Sequence, residues 1–227
     1  RTKNNYIGWL KSFSSYLIAR GYLTSNPTSG LNTSTKLGPK NRDVIPNDVL
    51  IEIKSYLDKE NKHYLLACYM IHYLFVRPGE MCFLKIKDLS EDKRTLTLSG
   101  SHTKNGHDAV ITIPNHVIDL MRELEIFSAP PGYYIFSNDF RPGPERIKAI
   151  AFTRFWTSNV KKALNLSDVY KLYSLKDTGI TNMIKAKTDL LSVRDQARHS
   201  SVKVTNIYTP QECIEANAAL VGYEGVF

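Results

Sequence analysis

The chain has 227 residues, of which 42% are hydrophobic and 23% charged, and a formal net charge of +8; this is an ordinary globular balance. No run of eighteen apolar residues occurs, so the sequence predicts no membrane span. Three widely spaced cysteines, Cys68, Cys82 and Cys213, fit neither a disulfide framework nor a zinc pattern. Because the chain starts at Arg1 without an apolar signal segment, we expect part of a cytoplasmic protein.

Positive charge is concentrated at the start of the chain. Residues 1–42 contain seven lysines and arginines and no acidic residue, whereas the remainder is nearly neutral. A basic arm on a neutral body favours a polyanion partner, most simply nucleic acid. A solvated basic face kept for solubility would have the same composition. The residues expected to contact nucleic acid are Lys3, Lys11, Lys36, Lys40 and Arg42.

The first predicted element is an amphipathic helix. Its apolar residues recur at helical spacing, at Tyr6, Leu10, Phe13 and Leu17. Gly21 then provides a helix stop. A polar stretch with glycine and proline follows and has no apolar period, which is typical of a linker. We therefore expect the end of a helical domain in residues 1–30, a linker over 31–43, and a second domain over 44–227.

The second domain has a mainly helical pattern with a short change of period. Alternation of apolar and polar residues predicts two paired strands, at 95–98 and 109–113, around a long polar turn. Helical periodicity and helix-start signals predict helices at about 46–57, 62–76, a short one from 78, 115–126, 148–164, 174–185, 189–198 and 201–208. The Pro- and Gly-rich segment 128–146 is predicted as loop with an extended stretch at 133–136. The predicted class is mainly α with a small antiparallel β-sheet (α+β).

The candidate chemistry consists of separate cations at the ends of elements. No glycine-rich phosphate loop or metal-ligand spacing of histidines occurs, which argues against ATP chemistry and metal-dependent hydrolysis. Arg77 precedes a predicted helix start, beside free backbone amides that could bind a phosphate, or it could simply pair with Glu80. Lys104 lies in the turn between the strands, where an ammonium can donate a proton, although most turn lysines are merely solvated.

Two motifs and their order resemble the tyrosine recombinase (phage integrase) family. The segment RPGEMCFLKIKDL, residues 77–89, resembles the family's first arginine segment, and RHSSVKVTNIYT, residues 198–209, resembles its histidine-to-nucleophile segment. The resemblance to the catalytic domain extends over residues 45–210. Residues 4–27 resemble the end of the core DNA-binding domain that precedes it in the family. The expected fold is therefore that of the family's catalytic domain.

The resemblance implies DNA cleavage and rejoining through a 3′-phosphotyrosine, without metal or cofactor. Tyr208 corresponds to the nucleophile, Arg77 to a phosphate ligand, and Lys104 to the general acid for the leaving 5′-oxygen. His199 corresponds to a residue that hydrogen-bonds the phosphate or assists removal of the tyrosine proton. The implied partners are double-stranded DNA at recombination sites and further copies of the chain, as a tetramer. We expect an integrase of a bacterial mobile element, cytoplasmic and associated with the nucleoid when bound to DNA.

The chain departs from the family pattern at two places. The family usually has His-x-x-Arg, where this chain has Tyr173 and Lys176, and it usually has glycine where this chain has Arg198. Lysine offers one point charge instead of a planar bidentate fork, so we expect slowed chemistry or a local compensation. Arg198 is the candidate for compensation, although adjacent helix positions such as Arg198 and His199 face different directions.

Two other functions remain open on the sequence alone. The first is a DNA-binding accessory protein of the same fold that has lost cleavage, and the second is a topoisomerase-like enzyme that relaxes supercoils without exchanging partners. The tail, residues 211–227, has Ile214, Ala218 and Val221 at helical spacing. In the family such a tail docks on a neighbouring protomer, but it could equally fold back on its own domain.

Overall fold

The fold is that of a mainly helical protein with one small sheet. The structure is a computed structural model that describes residues 2–32, 43–103 and 106–208. The α-helices of these residues are α1 (Thr2–Ala19), α2 (Asn47–Glu60), α3 (Lys62–His72), α4 (Pro78–Met81), α5 (Asn115–Glu123), α6 (Ala149–Phe155), α7 (Lys161–Ala163), α8 (Ser174–Lys185), α9 (Leu190–Ala197) and α10 (Val202–Asn206). The strands are β1 (Leu89–Ser90), β2 (Thr95–Leu98) and β3 (Ala109–Thr112). The chain divides into two units, Arg1–Asn41 and Arg42–Phe227.

In the first unit, α1 ends at the glycine that the sequence indicates. Gly21 has a φ of 76°, in the left-handed region where glycine carries no steric penalty. Its amide donates to the carbonyl of Ile18, and the amide of Tyr22 donates to that of Leu17, both at 2.9 Å. These bonds satisfy the last carbonyls of the helix. The predicted apolar stripe is largely uncovered, since Tyr6, Leu10 and Phe13 are all at least half exposed.

In the second unit, the strands form an antiparallel sheet in the order β1-β2-β3. Leu96 lies opposite Ile111 in the register of β2 and β3. The inward side chains of these two strands, Leu96, Leu98 and Ile111, are buried, as expected for strands with one face on a core. The predicted pair of strands is confirmed. Strand β1 was not predicted, because two residues are too few to show a period.

The main core surrounds α3. Asn61 begins this helix, and its side-chain oxygen accepts the amide of Tyr64 at 2.8 Å, which satisfies one of the open donors of the first turn. Nearly every residue from Tyr64 to Ile71 is buried, and α2, α5 and α8 all contact α3. Cys68 and Cys82 are buried free thiols.

A second, smaller cluster lies beside the carboxyl end of α3. We call it the site cluster; its buried members are Phe75, Ile180, Val193 and Ala197, with Met183, Ile184 and Tyr208 packed against them. Helix α8 reaches both clusters. A Cβ on Gly179 of α8 would lie 1.8 Å from the carbonyl oxygen of His72. Only glycine therefore allows α8 to lie this close to α3.

Helix α8 has the predicted bounds, whereas other predicted helices differ from the structure. Helix α3 ends at His72 instead of residue 76, because the chain turns there and Phe75 has a left-handed φ of 56°. The predicted helix over 148–164 is interrupted by a π-helical turn, Trp156–Val160. The segment predicted as loop, 128–146, contains a short 3₁₀ turn at Asn138–Phe140.

Several predictions concern residues outside the described ranges, namely Lys36, Lys40, Arg42, Lys104 and the tail 211–227. Across the residues that the structure describes, no helix is long and apolar enough to cross a bilayer. In the same ranges, no group of three or more His, Cys, Asp or Glu side chains is arranged to hold a metal ion.

Candidate active site

Arg77 and Glu80 form an ion pair at the start of α4. The guanidinium Nη1 donates to Oε1 of Glu80 at 2.7 Å, and the backbone amide of Arg77 donates to Oε2 at 2.9 Å. Burial lowers the pKa of Arg77, but the charge of Glu80 and a hydrogen bond with Tyr173 outweigh it and raise that pKa overall. The pairing with Glu80 that the sequence allowed is present. It orients a half-buried guanidinium whose side chain remains 25% exposed.

Arg198 brings a second guanidinium to the same carboxylate. Its Nη2 donates to Oε2 of Glu80 at 2.8 Å and to the carbonyl oxygen of Phe75 at 3.1 Å. Burial raises the pKa of Glu80, but the hydrogen bond from Arg198 and the charges of both arginines outweigh it, and the pKa is lowered. The Nε and Nη1 atoms of Arg198 are buried and have no hydrogen-bond partner among the described residues. Buried polar groups normally have hydrogen-bond partners. The two open donors of this guanidinium therefore suit a bound anion that is not part of the chain.

The backbone explains why Arg198 points inward. Arg198 ends α9 with a left-handed φ of 55°, so the helical rule that adjacent positions face different ways does not apply between Arg198 and His199. The sequence-based objection to Arg198 as a site residue was therefore wrong for a physical reason. Its side chain is only 10% exposed.

Lys176 lies on α8, and it shares a backbone acceptor with Arg198. Its Nζ donates to the carbonyl oxygen of Phe75 at 2.9 Å and approaches that of Ala197 at 3.4 Å. The residue is 3% exposed. Burial, together with the charges of Arg77 and Arg198, lowers the pKa of Lys176 from 10.5 to about 7. Most lysines lie at the protein surface, whereas Lys176 is buried.

His199 and Tyr208 lie side by side at the other edge of the site. Their rings are parallel within 13°, with centroids 6.2 Å apart. The Nδ1 atom of His199 lies 2.9 Å from Oγ1 of Thr205, which orients the imidazole. Burial, followed by the charges of Lys176 and Arg77, lowers the pKa of His199 to about 4. The Tyr208 hydroxyl donates to Oδ1 of Asp177 at 2.8 Å.

Three of the predicted site residues, Arg77, Arg198 and His199, line the same cavity. It has a volume of about 200 Å³ and is lined by Arg77, Thr103, His107, Asp108, Ala109, Arg198 and His199. Its wall includes Thr103 and His107, which precede and follow Lys104 in the sequence. Lys3 and Lys11 belong to α1 in the other unit. The cavity thus combines two guanidiniums and a neutral imidazole, groups that can bind the oxygens of a phosphate.

Asp177 and Phe75 are among the residues of the site that were not predicted. Asp177 binds the Tyr208 hydroxyl, and the only signal in the sequence was an acid directly after Lys176. Phe75 contributes its carbonyl oxygen, which accepts from both Lys176 and Arg198. No side-chain pattern could have found Phe75, because its role depends on a left-handed backbone conformation.

Comparison with known proteins identifies the family of this chain. Residues 44–213 match the family model described as the phage integrase family, which is more than half of the chain. The chain belongs to the phage integrase family. The resemblance read from its motifs and the predicted fold class are thereby confirmed.

Relatives of this family member are distant in sequence. A tyrosine recombinase of Thermosipho africanus is 24% identical over 208 residues, which cover 91% of this chain and 70% of that protein. A Tn1549 transposon integrase in complex with transposon right end DNA has a TM-score of 0.73 at 16% identity, covering 94% of this chain and 76% of the other. A lambda integrase dimer bound to a COC′ core site has a TM-score of 0.68 at 16% identity, covering 93% and 74%. These structures show that the fold is that of the integrase catalytic domain.

Proposed function

We propose that this phage integrase family member is a site-specific DNA recombinase that cleaves and rejoins DNA through a 3′-phosphotyrosine. The observation that carries the proposal is the cavity in which Arg77, Arg198 and His199 meet, with Tyr208 stacked beside His199. Phosphoryl transfer depends mainly on positioning and on cations that stabilise the non-bridging oxygens. Covalent capture by tyrosine keeps the bond energy for rejoining.

The roles follow the family assignment. The Tyr208 oxygen attacks the scissile phosphorus, and Arg77 binds a non-bridging oxygen. The leaving 5′-oxygen takes a proton from Lys104, which lies in the sequence between Thr103 and His107 of the cavity wall. His199, neutral at physiological pH because its pKa is about 4, hydrogen-bonds the phosphate through its free edge. Glu80 orients both arginines, and Tyr173 supports Arg77 through their hydrogen bond.

Arg198 supplies the second guanidinium that the family pattern places at the position of Lys176. Two observations support this role: the open Nε and Nη1 donors, and the position of Arg198 on the cavity wall. Lys176 instead supports the backbone at Phe75, which Arg198 also contacts. The site would then keep two guanidiniums, and the departure at Lys176 would not by itself slow the chemistry.

The basic arm is assigned to DNA binding. We infer that residues 1–30 close a helical DNA-binding domain, that 31–43 form a linker, and that 44–227 form the catalytic domain. Lys3, Lys11, Lys36, Lys40 and Arg42 would contact DNA phosphates, which position the protein without reading sequence. Each such contact contributes to a binding constant that falls with salt. The partner would be double-stranded DNA at a recombination site, bound by a tetramer of the chain.

A covalent adduct tests the proposed reaction. The full-length protein is incubated with nicked suicide duplexes from the DNA flanking its own gene, whose cut fragment diffuses away and traps the intermediate. We expect an adduct on a denaturing gel that Tyr208→Phe abolishes and Tyr133→Phe retains. Tight binding without an adduct would contradict the proposal and favour the cleavage-deficient accessory protein. Relaxation of supercoiled DNA without partner exchange would favour the topoisomerase-like enzyme.

The Arg198 assignment has its own test in single-turnover cleavage. Loss of one well-placed donor costs about a hundredfold in rate, so we expect that loss in Arg198→Ala and only partial recovery in Arg198→Lys. Arg194→Ala, on the same helix but bound to Asp195, serves as the control. Unchanged cleavage in Arg198→Ala, with complete loss in Lys176→Ala, would rule the assignment out.

A further inference from the structure

The hydroxyl group proposed as the nucleophile already has an acidic partner. The Tyr208 hydroxyl donates to Oδ1 of Asp177 at 2.8 Å. Asp177 lies on α8 and is 2% exposed, so its carboxyl group is held where water hardly reaches it. A buried acid is costly unless it is paired. Its position against the reacting oxygen therefore calls for an explanation that the family pattern does not supply.

We propose that Asp177 accepts the proton of Tyr208 during DNA cleavage. The inference rests on the function proposed above. As the bond between the tyrosine oxygen and phosphorus forms, the O–H bond breaks and its proton moves to the Asp177 carboxylate. The bond from phosphorus to the 5′-oxygen breaks, and that oxygen is protonated separately by the general acid. In rejoining, the attacking 5′-hydroxyl gives its proton back to the general acid, which lost one during cleavage, and Asp177 returns a proton to the departing tyrosine oxygen.

The acid–base chemistry permits such a transfer. A phenol with an ordinary pKa of about 10 does not give its proton to a carboxylate with an ordinary pKa of about 4 in the ground state. During attack the phenolic oxygen becomes an ester oxygen and loses its affinity for the proton. The transfer is then favourable in the transition state, which is where a positioned base acts. A bond of 2.8 Å is within the required reach.

The geometry favours Asp177 over His199 as the acceptor. The Nδ1 atom of His199 is engaged with Thr205. The imidazole ring is parallel to the phenol ring, with centroids 6.2 Å apart, whereas the Tyr208 hydroxyl donates directly to Asp177 at 2.8 Å. Its place on the cavity wall suits a phosphate contact instead.

Other titratable groups surround the pair and affect any pH profile. These groups are Lys176 of α8 and His199 after α9, together with Arg77, Arg198 and Glu80, whose charges act on Lys176. Lys176, with a pKa of about 7, titrates in the wild type as well as in variants. The informative quantity is therefore the ratio of variant to wild-type rates at each pH.

Asp177→Asn tests the inference because it keeps the size and an acceptor atom but removes the base. Single-turnover cleavage of the suicide duplex is measured from pH 7 to 9. We expect the ratio to be about 0.01 or lower at pH 7, since a general base contributes 10²–10⁴-fold. It should then rise roughly tenfold per pH unit, because attack would require a preformed phenolate. A purely structural role would give a ratio that does not change with pH. Asp195→Asn, an exposed acid on α9, is the matched control with a ratio near one.

Further outcomes separate this inference from the proposed function. An adduct in the wild type with a pH-independent ratio in Asp177→Asn would overturn the role of Asp177 alone. Faster cleavage in both Asp177→Asn and Asp177→Ala would also overturn it, because Asp177 would then restrain Tyr208. No adduct in the wild type would overturn both. If Asp177→Asn fails to fold, Asp177→Ala also removes the base and is measured in its place: a ratio that rises about tenfold per pH unit supports the inference, and a ratio that does not change with pH contradicts it.

Discussion

The main core and the site cluster are held together by different forces. The main core is filled by fully buried apolar side chains such as Leu57, Leu66 and Trp156. The site cluster has few apolar members. Beside it lie Glu80, Lys176 and Asp177, charged residues that are each less than 5% exposed. Buried charges persist only when paired. The fold therefore depends on packing, and the site depends on a small set of polar contacts.

Helix α8 connects the two regions. Leu175 belongs to the main core, and Ile180 belongs to the site cluster. Lys176 and Asp177 lie between them in the sequence and face the site. A large core can thus hold a strained and highly charged arrangement that could not stabilise itself. The difference between the regions predicts which substitutions reduce stability, which reduce rate, and which reduce both.

Gly179→Ala disrupts the close contact of α8 with α3 and should have the largest effect on stability and cleavage. The added Cβ would lie 1.8 Å from the carbonyl oxygen of His72, so α8 must move away from α3. We expect a loss of more than about 3 kcal/mol in the free energy of unfolding, the upper end for overpacking, and loss of cleavage in the remaining folded protein. Urea unfolding measures the first and the adduct assay the second. Gly132→Ala, where nothing lies within 4 Å, is the control; equal behaviour of both variants would contradict the role of this contact.

Leu66→Ala acts on the main core alone. Leu66 is fully buried in α3, and removing such a side chain costs about 3 kcal/mol of unfolding free energy through lost burial and a cavity. Because Leu66 belongs to the main core and is not a member of the site cluster, the single-turnover cleavage rate should stay unchanged below the unfolding temperature. Leu191→Ala, at a half-exposed position, should cost less than about 0.5 kcal/mol. A lower cleavage rate in Leu66→Ala would show that the two regions are not separable.

The same division explains how much of the molecule was predictable. Local signals identified α8 with the correct bounds, the strands β2 and β3, and the Gly21 helix stop, because periodicity and turn chemistry act over a few residues. The order of Arg77, His199 and Tyr208 along the chain was also enough to suggest one site. These are features of neighbouring residues or of a known family pattern.

The contacts that build the site were beyond such signals. Lys176 and Arg198 meet at the carbonyl of Phe75 across separations of 101 and 123 residues. The inward direction of Arg198 depends on a left-handed residue at the end of α9. A non-glycine residue in that conformation is uncommon, so ordinary helical geometry predicted the opposite direction for this side chain. The Asp177–Tyr208 bond likewise depends on how α8 packs, which no local pattern records.

Glu80→Gln tests the polar part of the comparison. The amide can accept fewer hydrogen bonds than the carboxylate and cannot neutralise Arg77 and Arg198, so both guanidiniums lose their common anchor. Hydrogen bonds to charged groups contribute about 2 kcal/mol; we expect that loss in unfolding free energy and a decrease in cleavage rate of about a hundredfold. Glu91→Gln removes an exposed pair with Arg122 and should cost less than about 1 kcal/mol. If the two variants lost equal unfolding free energy, the buried ion pairs of Glu80 would contribute no more to stability than the exposed pair of Glu91.

Lys176→Met tests the smallest effect, the dependence of stability on pH. The pKa of Lys176 is about 7 in the folded protein against 10.5 when exposed, so between these values the unfolded chain binds a proton that the folded chain has released. Stability attributable to Lys176 therefore rises with pH across this window and is lowest below pH 7, by on the order of 1 kcal/mol per pH unit. The difference in unfolding free energy, wild type minus Lys176→Met, should accordingly increase from pH 7 to 9 in urea unfolding. A difference that stays constant would mean that the ammonium is fully solvated or fully paired, and that the charges beside the site cluster carry no burial cost.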